Sequence, residues 1–141
     1  MTAGTDHLFE TTIHSTNAWL NDVAQELGGE SQERAYLVLR TVLHALRDRL
    51  SVEHVAALAA QMPMLVRGFY YEGWHPAGKP LKERKKEQFL GHVTAAFHGD
   101  PTVDAEDLTC AVFRVLQRHV TPGAIEQVTA TLPHCLRSMW L

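Results

Sequence analysis

Apolar residues recur at helical spacing along most of this chain, and no segment alternates apolar with polar strictly enough for a half-buried strand. Trp19, Leu20, Val23, Ala24 and Leu27 share one face and predict a helix over 16–27. Gly28 and Gly29 stop it, because glycine enters the left-handed conformation that ends helices. Ala35, Val38, Leu39, Val42, Leu43, Leu46 and Leu50 predict a second helix over 32–50, with Arg40, His44, Arg47 and Asp48 on its wet side. Ser51 is placed to cap a third helix, and Leu50 and Val55 have the spacing of a hydrophobic staple. Pro63 ends that helix and opens a short fourth one, 63–70.

The same signals return 70 residues later, where 19–70 aligns with 89–140 without a gap and nine of the 52 pairs are identical. Leu20/Leu90, Val23/Val93, Val42/Val112, Leu46/Leu116 and Pro63/Pro133 are among them, and Trp19/Phe89, Leu43/Phe113 and Tyr70/Trp140 keep apolar bulk. The cap and staple recur as Thr121, Val120 and Ile125, with Pro122 added where a first-turn proline costs no hydrogen bond. Pro133 opens a matching fourth helix, 133–140. The expected fold is all-α: two tandem four-helix repeats packed as one pseudo-twofold helical bundle. A single domain, 1–141, then comprises repeat one (15–70), an aromatic and basic connector (71–84) and repeat two (85–141). A shared core is expected because units of this size bury little surface alone.

Residues 34–76 carry a further pattern. It runs through Val38-Leu39-Arg40 and Leu46-Arg47-Asp48-Arg49-Leu50 to Leu58-Ala59-Ala60-Gln61-Met62-Pro63 and Arg67-Gly68-Phe69-Tyr70-Tyr71-Glu72-Gly73-Trp74. This resembles the uncharacterised prokaryotic domain-of-unknown-function family 2267, and Leu132-Pro133, Leu136-Arg137 and Trp140 are similar to that family's ending. The resemblance covers roughly 11–140 and is most specific at Arg-Asp-Arg-Leu and Tyr-Tyr-Glu-Gly-Trp. It implies a small duplicated helical protein and no activity, since the family offers no catalytic residues to carry over.

Composition narrows the classes. With 45% apolar and 21% charged residues, the chain is globular and not disordered. The opening Met1–His7 has neither a basic segment nor an apolar stretch, so no export signal is expected. The longest apolar run, Val55–Val66, spans 12 residues and is interrupted by Gln61 and Pro63, too short for a bilayer. A cytoplasmic protein with reduced thiols is the expectation, and two cysteines make no disulfide framework. A net charge of −3 argues against a dedicated nucleic-acid binder.

The most unusual stretch joins the two copies. Phe69, Tyr70, Tyr71 and Trp74 place four aromatics in six residues, followed by glycine and proline punctuation as far as Pro80. Tyrosine and tryptophan join an apolar body to a polar handle, which suits interfaces and ligand pockets as well as a core lid. The leading expectation is a non-catalytic interaction module, self-associating or binding another protein, with the Tyr70–Pro80 loop as contact surface and Arg67, Tyr71, Glu72, Trp74 and His75 as binding residues. The alternative is a small-ligand or enzymatic site built from Arg67, Tyr71, Glu72 and His75. A third is nucleic-acid contact through Lys82–Lys86, the one basic run, which Glu83 and Glu87 dilute.

Other candidates point to structure. Nine histidines invite a metal, and His7, Glu10 and His14 would align on a helix, but no His-Glu-x-x-His pair exists and no metal or cofactor is expected. Cys110 and Cys135 form no Cys-x-x-Cys motif and read as buried thiols. Arg67 and Arg137 stand at equivalent positions and suit helix C-terminal carbonyls. No phosphate loop, Gly-x-Ser-x-Gly elbow or dinucleotide fingerprint is expected, so nothing in the sequence argues for an enzyme.

Overall fold

A computed structural model describes residues 3–140; Met1, Thr2 and Leu141, at the ends of the expected domain, lie outside the described residues. The described chain is all-helical: α1 (Ala3–Glu26), α2 (Gln32–Arg47), α3 (Val52–Ala59), α4 (Met64–Tyr71), α5 (Lys86–Ala96), α6 (Ala105–His119), α7 (Pro122–Ala130) and α8 (His134–Arg137), closed by a 3-10 turn at Ser138–Trp140. No strand occurs among the described residues. No helix there is long and apolar enough to cross a membrane.

The local signals act as expected. Ser51 Oγ accepts the His54 amide at 3.3 Å and Thr121 Oγ1 the Ala124 amide at 3.4 Å, so both third helices start at a side-chain cap. Ser31 and Asp104 cap α2 and α6 in the same way. Gly28 and Gly29, at φ +88° and +102°, turn the chain back so that the amides of Gly29 and Glu30 reach Ala24 O.

Helix α3 stops at Ala59, short of Pro63, and the expected helix over 133–140 is α only to Arg137; two further boundaries differ for a visible reason. Helix α1 begins far upstream of residue 16, because its N-terminal half lies along α4, with Thr16 buried and Thr12 half-buried, a contact no local periodicity reveals. Helix α2 ends at Arg47 rather than Leu50. Ser51 must be extended (φ −64°, ψ 159°) to cap α3, so Arg49 and Leu50 are wound into a tight turn before it.

The centre of the core is the crossing of α2 and α6, with α1 laid against both and α5 against both. Val38, Leu39, Val42, Leu43 and Leu46 from α2 meet Val112, Phe113, Val115 and Leu116 from α6, all essentially inaccessible. The Phe113 ring stacks on Trp140 at 4.0 Å between centroids. Tyr70 is fully buried and donates its hydroxyl to Val55 O at 3.0 Å, tying α4 to α3. Helix α3 packs on α7, which closes the far end of the bundle.

Tyr70→Phe should keep the ring packing and remove only the hydroxyl bond, lowering stability by about 1 kcal/mol in urea denaturation. Leu116→Ala, which empties a core position, should cost about 2–5 kcal/mol by the same measurement.

Candidate functional site

The segment between α4 and α5 is held at both ends by three consecutive residues at the end of α2. Arg47 is only 3% exposed. Its Nη1 donates to Tyr70 O at 2.7 Å and Glu72 O at 2.8 Å, and its Nε donates to Asp48 Oδ1 at 2.9 Å. The guanidinium therefore receives the last turn of α4, where free carbonyls favour a cation. Asp48 O accepts the Leu81 amide at 2.8 Å. Arg49, 7% exposed, donates to Ala45 O and to Glu83 Oε1, each at 2.7 Å, and lies over the Phe89 ring at 4.9 Å. Burial pushes the Arg49 pKa below its ordinary value, while Glu83 and Asp48 pull it back. His92 also approaches Glu83, at 2.9 Å.

This framework decides where the expected binding residues stand. Tyr71 packs its ring on Tyr70 and Trp74, with centroids 5.3 and 5.6 Å apart, and Tyr71 and Trp74 are half-buried against the core. The indole Nε1 of Trp74 is buried without an acceptor among the described residues. Glu72 is exposed, its carboxylate 3.9 Å from Arg40 Nε. His75 is exposed beyond it. Because α4 ends at Tyr71, Glu72 and His75 do not share a helical face despite their spacing. Arg67 points elsewhere, donating to Ala59 O at 3.1 Å and Met62 O at 3.0 Å and so satisfying the C-terminus of α3. Tyr71, Glu72 and Trp74 thus adjoin, while Arg67 lines a separate groove.

That groove, of about 590 Å³, runs between the N-terminal half of α1 and the α3–α4 corner, lined by Leu8, Thr12, Trp19, Met64 and Arg67 among others. Leu8 is 74% and Met64 55% exposed. This apolar surface carried no sequence signal, because Leu8, Phe9 and Ile13 are interspersed with threonine and histidine before the first clear amphipathic stripe.

Contrary to the expectation of no phosphate-loop spacing, Gly73-Trp74-His75-Pro76-Ala77-Gly78-Lys79 does match Gly-x-x-x-x-Gly-Lys, with Pro80 where Ser or Thr would hold the metal. Among the described residues no strand precedes it and no helix opens until Lys86, so it is not built as one. Within the basic run, Lys86 pairs with Glu106 at 2.8 Å and Glu83 with Arg49, so the six charges do not form one free stripe.

His7 and Glu10 meet on α1 at 2.9 Å, yet no three metal-ligating side chains converge among the described residues. Cys110 and Cys135 are free thiols, and burial pushes the Cys110 pKa up. His119 lies 2.7 Å from Asp22 and stacks on Trp19, tying α6 to α1. His44 donates Nε2–H to Phe69 O at 2.6 Å; burial holds its pKa below 6.5 against the pull of that bond, and Arg47 and Arg40 add to the depression.

Among curated proteins, none matches the chain. A family model described as an uncharacterized conserved protein (DUF2267) matches residues 16–139, and the chain belongs to that family. The match covers nearly the span over which the residues carry the resemblance noted above.

Arg47→Lys keeps the charge but not the fork that serves two carbonyls and Asp48 at once. It should lower stability by about 2 kcal/mol in urea and raise protease cleavage within 72–80. His44 is neutral longer in the folded than in the unfolded chain, so its contribution is present above pH 6.5 and is lost as pH falls below that value. His44→Gln should therefore flatten the fall in urea midpoint between neutral and mildly acidic pH.

Proposed function

We propose that this member of the family is a non-catalytic helical interaction module that self-associates through the apolar face shared by the N-terminal half of α1 and by α4. One observation carries the reading. Among the described residues, the seven large apolar side chains that stand exposed all fall between Leu8 and Leu65. Six of them, Leu8, Phe9, Ile13, Tyr36, Met64 and Leu65, belong to α1, α2 and α4, which pack on one another. Leu8 and Met64 line one groove, and exposed apolar side chains on adjoining helices favour a contact surface over scattered single ones. The Tyr70–Pro80 loop, by contrast, turns its rings towards the core, and its role in this reading is to brace α4 beneath that face. Free Cys110 and Cys135 fit the cytoplasmic placement that goes with it.

The reading includes a duplicated architecture: repeats over 15–70 and 85–141, joined by 71–84 and related by a pseudo-twofold. Backbone geometry supports it. Gly28 and Gly29 have φ of +88° and +102°; their counterparts His98 and Gly99 have +55° and +70°, a conformation rare for a histidine. Pro63 and Pro133 share the same extended geometry before α4 and α8. The packing is reciprocal: α1 on α6 and α5 on α2, with α2 on α6 and α3 on α7. The exposed face has no second copy, since Met64 and Leu65 correspond to His134 and Cys135, and Leu8 and Ile13 to Gly78 and Glu83.

Sedimentation velocity over a concentration series tests the assignment. The wild-type chain should associate reversibly, Leu8→Ser with Met64→Ser should weaken association at least tenfold, and Tyr71→Ala with Trp74→Ala should leave a folded population that still associates. A wild-type chain that stays monomeric throughout, or association that ignores Leu8 and Met64, overturns it.

A further inference from the structure

A second cavity, of about 660 Å³, lies where the connector passes between α3 and the α7–α8 corner. That volume is in the range of small-molecule sites. Pro80, Leu81, Leu132 and Pro133 contribute apolar wall, and Lys79, Lys82, Arg84 and His54 contribute basic groups. Among the described residues neither lysine nor Arg84 has an acidic partner within ion-pair distance. Glu83 is the one carboxylate lining the cavity, and it is already engaged by Arg49 at 2.7 Å and by His92 at 2.9 Å. Ser51 Oγ lies 3.0 Å from His54 Nδ1, which fixes the ring at the cavity edge.

Arg49 anchors one side of the cavity. Arg49 lines this cavity, is more than nine-tenths buried, and its Nε has no acceptor among the described residues. That nitrogen is inaccessible, and Arg49 also lines the pocket between α2 and His92, so its part here is to hold Glu83 and leave the neighbouring cations free of that carboxylate. The combination is one of apolar wall and uncompensated positive charge, which suits a ligand with an apolar body and an anionic head.

We propose that this cavity binds a small amphipathic organic anion, with a carboxylate or phosphate head held by Lys79, Lys82 and Arg84 and its apolar body against Leu81, Leu132 and the two prolines. Lys79–Arg84 come from the connector between α4 and α5, so the site rests on a segment outside both helical units. It is separate from the α1–α4 face, so it stands or falls independently of self-association.

Octanoate, octyl phosphate and, as a cation of matched length, octylamine are the probes. Titration calorimetry gives affinity, and methyl NMR locates the site. At least one of the two anions should bind saturably, shift the Leu81 and Leu132 methyls, and weaken as salt is raised; whichever binds more tightly identifies the head group. K82Q with R84Q, both at exposed positions, should weaken that binding about tenfold without moving the thermal midpoint. Leu8→Ser with Met64→Ser should leave it unchanged. Octylamine binding as tightly as the anions, shifts confined to the α1–α4 face, an affinity unmoved in K82Q/R84Q, or no saturable binding of either anion would each overturn the proposal.

Discussion

Two buried guanidinium groups on neighbouring turns of chain govern the middle of this protein. A buried arginine is tolerated only where acceptors surround it, and here those acceptors are mostly main-chain carbonyls. Arg47 binds the carbonyls of Tyr70 and Glu72, and Arg49 binds that of Ala45 together with the Glu83 carboxylate. The chain leaving α4 must therefore pass Arg47, and the chain entering α5 must pass Arg49. Asp48, between them, neutralises one charge and receives the Leu81 amide. The aromatic residues follow: once Tyr70 and Glu72 are tethered, Tyr71 and Trp74 have the core surface within reach.

What was legible in the sequence was whatever a local pattern encodes. The stripe from Ala35 to Leu46, the caps at Ser51 and Thr121 and the breaks at Pro63 and Pro133 all appear where spacing places them. Arg67 was legible too, since a cation just beyond a helix end suits free carbonyls. The aromatic connector was harder. Tyrosine and tryptophan suit an interface as well as a lid, and the choice was made by Arg47, more than 20 residues away in sequence. The exposed α1–α4 face was illegible for a related reason: Leu8 and Met64 become neighbours only when α1 lies along α4.

Charge shows the same dependence on tertiary pairing. In sequence, Lys82-Glu83-Arg84-Lys85-Lys86-Glu87 is a mixed run of modest net charge. In the fold Glu83 turns to Arg49 and Lys86 to Glu106, both away from their sequence neighbours. Local field therefore depends on which charges are already engaged. The basic character that remains gathers around a cavity instead of along an open helix face.

The reciprocal packing of α1 on α6 and α5 on α2 has a consequence for the order in which the chain folds. Trp19 rests on His119, and Arg118 reaches Glu26, so the outer face of α1 is completed by residues about a hundred positions later. During synthesis the first four helices would leave the ribosome with one side of α1 and α2 uncovered, and would stay so until α6 emerged. Contacts this distant in sequence set a late, concerted closure. The protein is thus assembled as one cooperative unit, whatever the history of its halves.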